Sequence, residues 1–469
     1  MIRKFILTIL FIIISTNIVN AKIDVVYPTS KELTVTSSSV YFSGNTDYGS
    51  EFYINNQKVN LWNNNFFVHV VPLNFGENKI KLTSVKNGKK EELIYTIDRN
   101  KYVKRQPSIP LFEPKKQGDV IYTKVIKTNA TVREKPTKFS NRVVDLPLNV
   151  ILYLEGKKGE YYKIEENGPT QYWIHESNIK EPVKISNKIK AKFLNQKFYS
   201  DDKYEYCKIY LSHPVLFQTK QNKNTIELTL FGVETKDKEG NVLPNYKYEF
   251  EFNDSVIAYD CYYEDNNFIF RKAKLPMDFD INHPLKDIKI FVDAGHGGSE
   301  KGAVGPTRVN EKDINLSIAN YLIQYLKSAG ADVISSRTDD CKVGLYDRAD
   351  IAKKNDALIS ISIHNNSMTL GGNPYLNNGT EVHYYNENAK LLAEIINKNL
   401  ALDLNLKDNG IHKSSFVMTR QTLPISLLVE VAYMINPEEY ILLQNSQFQK
   451  NVAKSIKKSI EKYIIMLKN

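Results

Sequence analysis

The chain has 469 residues, a length that predicts about three domains rather than one. With 42% hydrophobic and 25% charged residues it lies close to the globular average, which excludes a fully disordered or fibrous protein. Three cysteines are too few for a disulfide-stapled scaffold or a cysteine-only zinc module. The net charge is +10, yet from Lys286 onward 22 basic residues face 20 acidic ones, so most of the excess lies upstream. A diffuse excess without an Arg-rich helix or a basic run does not indicate nucleic-acid binding.

The first 21 residues have the pattern of an export signal. Arg3 and Lys4 precede an apolar run at 5–14, which is half of the ~20 residues needed to span a bilayer. A small-residue cleavage site (V-N-A) follows at 19–21. An uncleaved anchor is the alternative, and the short apolar core argues against it. We therefore expect a chain exported to the periplasm or cell envelope, or secreted, without a stable membrane anchor after cleavage.

Residues 22–282 are predicted to be β throughout, because short alternating runs recur between Gly, Asn and Asp clusters. Turn sequences near the start are S-G-N-T at 43–46, F-Y-I-N-N at 52–56 and L-N-F-G-E-N-K-I at 73–80. Their order resembles bacterial immunoglobulin-like modules, with Asn56 where that family usually has a turn glycine. We predict such a β module, of sandwich type, at 23–103.

A proline-containing linker is predicted at 104–118, because dense prolines favour an extended connector. The next segment carries A-T-V-R-E-K-P at 130–136, Y-Y-K-I at 161–164 and Y-W-I at 172–174. These motifs resemble a bacterial SH3-like module, a small barrel, which we predict at 119–182. The resemblance implies a cell-wall peptide held in an aromatic groove. Trp173, Tyr161 and Tyr162 are also explained as barrel core and rim, and this interpretation is favoured.

A β-rich module of unknown type is predicted at 187–282. It contains Cys207 and Cys261 in strand-like settings. In an oxidising compartment these two residues could pair, but their spacing alone does not define the required geometry. Cys341 is then left without a partner and is interpreted as a bystander.

At Lys286 the pattern changes to alternating strands and helices. Apolar β runs are predicted at 288–292, 331–335, 357–363, 380–385 and 425–431. Helices are predicted at 311–327, 345–354, 387–400 and 446–466. Asn310 stands at the N-cap position of the first helix. This alternation predicts a C-terminal α/β domain with a mostly parallel sheet at 286–469.

Two histidines follow predicted strands at the edge where open α/β sheets place their sites. His296 lies between glycines, which permit a tight bend, and the strand at 357–363 runs directly into His364. A lone histidine in such a place is more often a hydrogen-bonded surface residue than a ligand. Two on one sheet can converge, and a catalytic zinc site then needs a third ligand. Glu311 is the candidate, although a carboxylate that stabilises the helix dipole is equally consistent.

Glu430 interrupts the apolar run at 425–432, which reads as a buried strand. An unpaired buried carboxylate costs several kcal/mol or shifts its pKa upward, and a core requires no such residue. A functional role is therefore favoured, and beside a metal Glu430 would act as a general base.

The C-terminal stretch carries a series of motifs in one order. They are D-A-G-H-G-G at 293–298, G-A-V-G at 302–305, E-K-D-I-N-L at 311–316, S-R-T-D-D at 336–340, L-Y-D-R at 345–348, S-I-H-N-N at 362–366, G-T-E-V at 379–382, L-V-E at 428–430 and N-P-E-E at 436–439. The series resembles the zinc-dependent N-acetylmuramoyl-L-alanine amidases of the type-3 catalytic family. We therefore predict a zinc amidase catalytic domain at 286–469.

The resemblance implies that His296, Glu311 and His364 bind zinc and that Glu430 is the catalytic carboxylate. It implies hydrolysis of the amide between N-acetylmuramic acid and the L-alanine of the stem peptide in peptidoglycan. Weaker substrate-binding candidates are Asn366, Arg308, His412, Lys413 and Arg420.

Arg337 and Arg348 also match the family pattern, and we interpret them as structural ion-pair residues. Two other functions stay open at this point. A zinc peptidase could use the same metal site on another cell-wall bond. A wall-binding scaffold could carry an inactive or partner-activated hydrolase domain, although such proteins usually lose a ligand or the catalytic carboxylate. Peptidoglycan is the expected partner, and the sequence does not indicate an activator protein.

Overall fold

The computed structural model describes residues 21–101, 110–165, 171–222, 224–236, 239–251, 258–275 and 279–468. Residues 1–20 of the predicted signal and residues 102–109, which include Pro107 of the predicted linker, lie outside these ranges. The described residues form five β-sheets, of which the first two are built from strands that alternate along the chain, and the α-helices of these residues accompany the sheet nearest the C-terminus. Within the same ranges, no helix has the length and apolar character that crossing a membrane requires.

Two sheets form the N-terminal β unit, residues 23–99. Its strands are β1 (Ile23–Tyr27), β2 (Glu32–Val35), β3 (Ser39–Thr46), β4 (Glu51–Ile54), β5 (Gln57–Val59), β6 (Phe66–Pro72), β7 (Gly76–Lys86) and β8 (Lys89–Arg99). The sheet orders are β1-β3-β6 and β2-β8-β7-β4-β5, and both sheets contribute to one apolar core. Val40 and Phe42 enter this core because alternate residues of a strand share a face. The β4–β5 turn needs positive φ at two positions, which Asn55 and Asn56 adopt at 50° and 66°.

The second β unit, residues 113–185, is a single eight-stranded sheet. Its strands are β9 (Glu113–Pro114), β10 (Val120–Lys124), β11 (Ala130–Arg133), β12 (Arg142–Leu146), β13 (Ile151–Lys158), β14 (Tyr161–Ile164), β15 (Tyr172–His175) and β16 (Val183–Ile185), with a 3-10 turn at Glu176–Asn178. The main order is β12-β11-β15-β14-β13-β10-β16, and β9 pairs with β13. Trp173 and Tyr161 are buried, and Phe112 meets Trp173 edge-on. This burial favours the core interpretation of these aromatic residues.

The third β unit, residues 191–273, has seven strands. They are β17 (Ala191–Ser200), β18 (Tyr204–Leu211), β19 (Phe217–Gln221), β20 (Thr225–Lys236), β21 (Val242–Glu251), β22 (Tyr259–Glu264) and β23 (Asn267–Ala273). The order is β19-β20-β17-β18-β23-β22, and β21 pairs with β20. Aromatic packing fills its core, where the rings of Phe250 and Phe270 stack at 3.9 Å.

The two cysteines of this unit lie on strands that are not neighbours. Cys207 on β18 and Cys261 on β22 are both paired in register with Phe270 of the intervening β23. Two strand spacings of about 4.8 Å place their Cα atoms roughly 10 Å apart, beyond the ~7 Å limit for a disulfide. The sequence leaves the Cys207–Cys261 pairing undecided, and the sheet order excludes it, because β23 separates the two residues; all three cysteines are free.

We expect three alkylated cysteines when the purified chain is unfolded without reductant and treated with iodoacetamide. Exposed Cys341 is accessible in the folded chain, whereas Cys207 requires unfolding. Burial raises the pKa of Cys207 to about 11, which lowers the fraction of reactive thiolate. Intact mass counts the modified residues, and a single modification after unfolding would show that Cys207 and Cys261 are bridged.

The C-terminal α/β unit contains the last sheet. Its elements are β24 (Lys289–Ala294), α1 (Glu311–Ser328), β25 (Asp332–Ser335), α2 (Leu345–Lys354), β26 (Ile359–Asn366), β27 (Thr380–Tyr384), α3 (Glu387–Leu404), β28 (Asp408–Lys413), β29 (Ile425–Tyr433), α4 (Pro437–Leu443) and α5 (Ser446–Lys468). The order is β25-β24-β26-β29-β27-β28. The first four strands are parallel, whereas β27 is antiparallel to β29 and parallel to β28. The predicted mostly parallel α/β sheet is confirmed.

Helices cover both faces of this sheet. Ile290 and Val292 of β24 share an apolar cluster with residues of α1, α3 and α5, whereas Phe291 packs against Ala349 and Ala352 of α2. Strand alternation accounts for this division. The sequence prediction missed β28 and α4.

Candidate metal centre and catalytic site

Three predicted ligands come together at the carboxyl edge of the parallel strands. His296 follows β24, His364 lies near the end of β26, and Glu311 is the first residue of α1. One ligand atom from each lies within 4.8 Å of the others. Two imidazole nitrogens and one carboxylate oxygen, partly open to solvent, form the donor set of catalytic zinc sites. The side chains present therefore fit zinc.

Two glycines create the space for this group. A Cβ at Gly295 would lie 2.3 Å from the His364 ring, and a Cβ at Gly302 would lie 2.4 Å from Glu311 Oε2. Gly302 also has a φ of +67°, which residues with a side chain rarely adopt. The glycines in the sequence motifs are thus needed because histidine and carboxylate groups approach the backbone closely.

Glu311 is the best-anchored member of the triad. Oε2 lies 3.2 Å from His296 Nε2, and Oε1 lies 3.0 Å from His364 Nδ1. Oε1 also accepts hydrogen bonds from Asn315 Nδ2 and the Asn365 backbone N–H. Burial raises the pKa of Glu311, but hydrogen bonds to the two imidazoles outweigh it and hold the pKa well below its usual range. Glu311 is therefore a charged, oriented carboxylate rather than only a helix-dipole partner.

Glu430 lies beside the triad on the neighbouring strand. In register it is paired with His364 of β26 on one side and with Glu381 of β27 on the other. Its Oε2 is buried and has no hydrogen-bond partner among the described residues. Burial raises the pKa of Glu430 to about 7. A carboxylate in this state is a stronger base than one in water.

Glu381 connects Glu430 to a polar cluster that the sequence interpretation missed. Asn366 Nδ2 donates to Glu381 Oε1 at 2.9 Å, and His383 Nε2 lies 3.2 Å from the same oxygen. His412 Nε2 lies 3.6 Å from Glu381 Oε2. The hydrogen bond to His383 is the main cause that lowers the pKa of Glu381. The sequence contained one signal for this cluster, the two-residue spacing of Glu381 and His383 in a predicted strand. Residues two apart in a strand lie on the same face of the sheet, which here is the face that carries Glu430.

The five weak substrate-binding candidates do not form one group. Asn366 and His412 lie at Glu381, next to the predicted catalytic carboxylate. Lys413 pairs with Glu387 at 3.0 Å, and Arg420 donates to the Ser415 carbonyl. Lys413 and Arg420 line a cleft of about 1400 Å³ to which the metal triad does not contribute. Arg308 bonds a residue of the N-terminal β unit.

Two buried arginines hold the backbone that carries His296. Arg348 Nη1 lies 2.5 Å from Asp293 Oδ1, with both side chains almost fully buried, and Arg348 Nη2 donates to the His296 carbonyl. Arg337 donates instead to backbone carbonyls, including those of Ala294 and Gly295. The interpretation of Arg348 as an ion-pair residue fits this geometry. The contacts of Arg337 are of a different kind, because carbonyl oxygens satisfy its guanidinium.

Taken together, the α/β sheet, the two-histidine, one-glutamate group and the adjacent carboxylate of Glu430 have the arrangement of a hydrolase site. Residues 290–462 match the family model described as N-acetylmuramoyl-L-alanine amidase. The Bacillus subtilis (strain 168) protein YqiI is 34% identical over 185 residues, covering 38% of this chain and 86% of YqiI. The chain therefore belongs to the N-acetylmuramoyl-L-alanine amidase family, which hydrolyses the bond between N-acetylmuramic acid and L-alanine in peptidoglycan.

Two further matches cover a similar share of the chain. The N-acetylmuramoyl-L-alanine amidase LytC of Bacillus subtilis (strain 168) is 31% identical over 180 residues, which are 38% of this chain and 35% of LytC. The solved catalytic domain of CwlV, an N-acetylmuramoyl-L-alanine amidase from Bacillus (Paenibacillus) polymyxa var. colistinus, is 35% identical. That match covers 38% of this chain and 98% of the domain, with a TM-score of 0.36. The chain thus spans about a third of the length of LytC, and the β units lie outside residues 290–462, which match the family model.

Proposed function

We propose that residues 286–469 form a zinc-dependent amidase domain that cleaves peptidoglycan between N-acetylmuramic acid and the stem peptide. His296, Glu311 and His364 would hold the zinc ion, and Glu430 would be the catalytic base. The observation that carries the proposal is the register of β26 and β29, which sets His364 directly beside Glu430. A ligand and a buried, unpaired carboxylate are thereby side by side at one sheet edge.

When bound, zinc would supply a Lewis acid that polarises the scissile carbonyl and acidifies a water molecule. Glu430 accepts the proton of the attacking water, whose oxygen forms a bond to the carbonyl carbon. The carbon–nitrogen bond then breaks, and Glu430 returns the proton to the departing amine of L-alanine. The burial that raises the pKa of Glu430 suits it to both tasks, because a carboxyl near neutrality can accept and release a proton.

Glu381 would organise the substrate side of this carboxylate. Its hydrogen bond from Asn366 fixes an amide one strand away from Glu430, and His412 brings an exposed imidazole to the same oxygen pair. Amide and imidazole groups can bond the carbonyls and carboxylates of a stem peptide. We therefore assign Asn366 and His412 to substrate positioning and give no such role to Lys413 and Arg420, which line the separate cleft.

The upstream units would locate the enzyme in the cell wall. The N-terminal β unit carries the immunoglobulin-like resemblance and the second β unit the SH3-like one. We propose that the chain is exported to the cell envelope, because its substrate lies there and residues 1–21 have the pattern of a signal peptide. The buried Trp173 directs the search for a wall ligand to other surfaces of the second unit.

Metal removal tests the proposal. We expect the chain from Lys22 onward to release new N-terminal L-alanine from purified peptidoglycan when zinc is present. A chelator should reduce this release at least ~100-fold, since the group that polarises the carbonyl is lost, and added zinc should restore it. Labelling of new amino termini, followed by hydrolysis and amino-acid analysis, measures the release.

The alternatives predict different products. New amino termini other than L-alanine would indicate a zinc peptidase acting on another wall bond. Tight binding to peptidoglycan sacculi without release, by a chain that contains stoichiometric zinc, would indicate a scaffold or an enzyme that needs an activator.

A further inference from the structure

The N-terminal β unit packs directly on the α/β unit. Tyr41, Phe66 and Val68 belong to the same apolar cluster as the core of the α/β unit. The ring of Phe66 meets the ring of Tyr440 of α4 edge-on, with centroids 5.5 Å apart. An apolar contact of this kind is typical of a fixed interface rather than of two modules joined by a free linker.

The loop at 303–310 leads into Glu311 and is closed at its base by that residue. Glu311 N–H donates to the Ala303 carbonyl at 2.8 Å, and Ala303 N–H donates to Glu311 Oε2 at 2.8 Å. Within the loop, Gly305 N–H donates to the Val309 carbonyl. These hydrogen bonds connect the loop directly to the carboxylate that faces both histidines.

The tip of this loop is held by the N-terminal β unit. Arg308 donates from Nε and Nη2 to the two carboxylate oxygens of Asp24, each at 2.6 Å. Asn45 Nδ2 donates to the Pro306 carbonyl at 3.0 Å. Arg308 has a φ of +65°, a left-handed conformation that costs energy for a residue with a side chain. A bidentate ion pair fixes both the position and the orientation of this strained residue.

The second loop held by this unit follows His364. Tyr41 N–H donates to the Leu370 carbonyl at 3.2 Å, and the Tyr375 hydroxyl donates to the Val68 carbonyl. The N-terminal β unit thus contacts the loops adjoining two of the three predicted ligands, Glu311 and His364.

We propose that Asp24 and Arg308 are positioning residues of the catalytic centre and that the N-terminal β unit is a structural part of the metal site. The ion pair fixes the conformation of the loop at 303–310, and that loop positions the Glu311 carboxylate. The inference rests on the proposed zinc amidase function. It replaces the substrate-binding role predicted for Arg308, because Asp24 occupies the Nε and Nη2 donors that would grasp a substrate carboxylate.

The test compares Arg308→Gln and Asp24→Asn with the unmodified full chain. We expect zinc to pass to a competing chelator ~10-fold faster, at the lower end of the effect of residues that orient metal ligands. The visible absorption of the cobalt-substituted chain should change in both variants, because the ligand geometry changes. The kcat for forming new N-terminal L-alanine should fall several-fold, whereas KM stays close to its original value. The Arg308→Lys variant keeps the positive charge but not the bidentate geometry of the guanidinium. Each effect should therefore be smaller in it than in Arg308→Gln.

Lys58→Gln is the matched control. It removes the 2.7 Å ion pair with Glu51 on the same β unit, away from both loops. The control should match the unmodified chain in zinc transfer, cobalt spectrum and kcat. Unchanged zinc transfer and an unchanged spectrum in both Arg308→Gln and Asp24→Asn would overturn the positioning role while leaving the amidase intact. Failure of the unmodified chain to bind zinc or release L-alanine would overturn both proposals.

Discussion

Replacing Glu430 with Gln should reduce the formation of new N-terminal L-alanine on stem peptides by about 10²–10⁴-fold, the range expected when a positioned general base is lost. The amide keeps the size of the carboxylate but cannot accept the proton of the attacking water. Zinc content should stay at one ion per chain, since Glu430 is not among the three proposed ligands. Measuring turnover together with zinc content separates loss of the base from loss of the metal.

Glu438→Gln provides the matched control for this experiment. Glu438 lies on α4, in the segment after β29, and is exposed. The Glu438→Gln variant should retain full activity, because this exposed carboxylate takes no part in the proposed proton transfers. Activity of Glu430→Gln within a few-fold of the unmodified chain would remove Glu430 from the mechanism. In that case Glu381, the neighbouring carboxylate in register, would be the next residue to test.

Replacing Arg348 with Ala should lower the free energy of unfolding of the α/β unit by about 3–5 kcal/mol. The cause is Asp293, which stays buried after its partner is removed and, among the described residues, retains only the hydrogen bond from Ser362. The carbonyl of His296 also loses a donor, so metal affinity should fall together with stability. Amide hydrogen exchange of the α/β unit, measured at increasing urea concentrations, reports the unfolding of this unit separately from that of the β units.

Two variants sharpen this second prediction. Arg348→Met combined with Asp293→Asn should be less destabilising than Arg348→Ala, because no uncompensated charge remains. Lys457→Met removes an i,i+4 pair with Glu461 on α5 and should cost only about 0.5 kcal/mol. A loss for Arg348→Ala no larger than that of Lys457→Met would show that the buried pair does not stabilise the fold.

The sequence was most informative where local pattern and chemistry agree. The four-residue apolar spacing predicted α1 to within a residue of its observed end. The reason is that an amphipathic helix buries one row of apolar side chains, and this row is visible in the sequence as a three- to four-residue repeat. Glu430 was identified from one charge in an apolar run, and its unpartnered buried Oε2 gives that inference a physical basis. The proposed ligands lie together because parallel strands end at one edge, a rule independent of this chain.

Other features depend on pairings between distant residues, which no local pattern contains. The order of β18, β23 and β22 decided the state of the cysteines, and sequence does not give the strand that lies between two others. Arg308 was assigned to substrate because its partner Asp24 lies 284 residues away. Glu381 was noted within a motif, yet its role became visible only once β27 was set antiparallel to β29.

The contact between Asp24 and Arg308 also has a consequence for the timing of activity. Closing a contact across 284 residues carries a loop-closure cost, and it requires that both ends of this stretch are present. A chain that crosses a membrane amino terminus first delivers Asp24 long before Arg308. If the chain is exported as proposed, the Asp24–Arg308 contact could close only after residue 308 has emerged, and the proposed site would be complete only after Glu430 has followed.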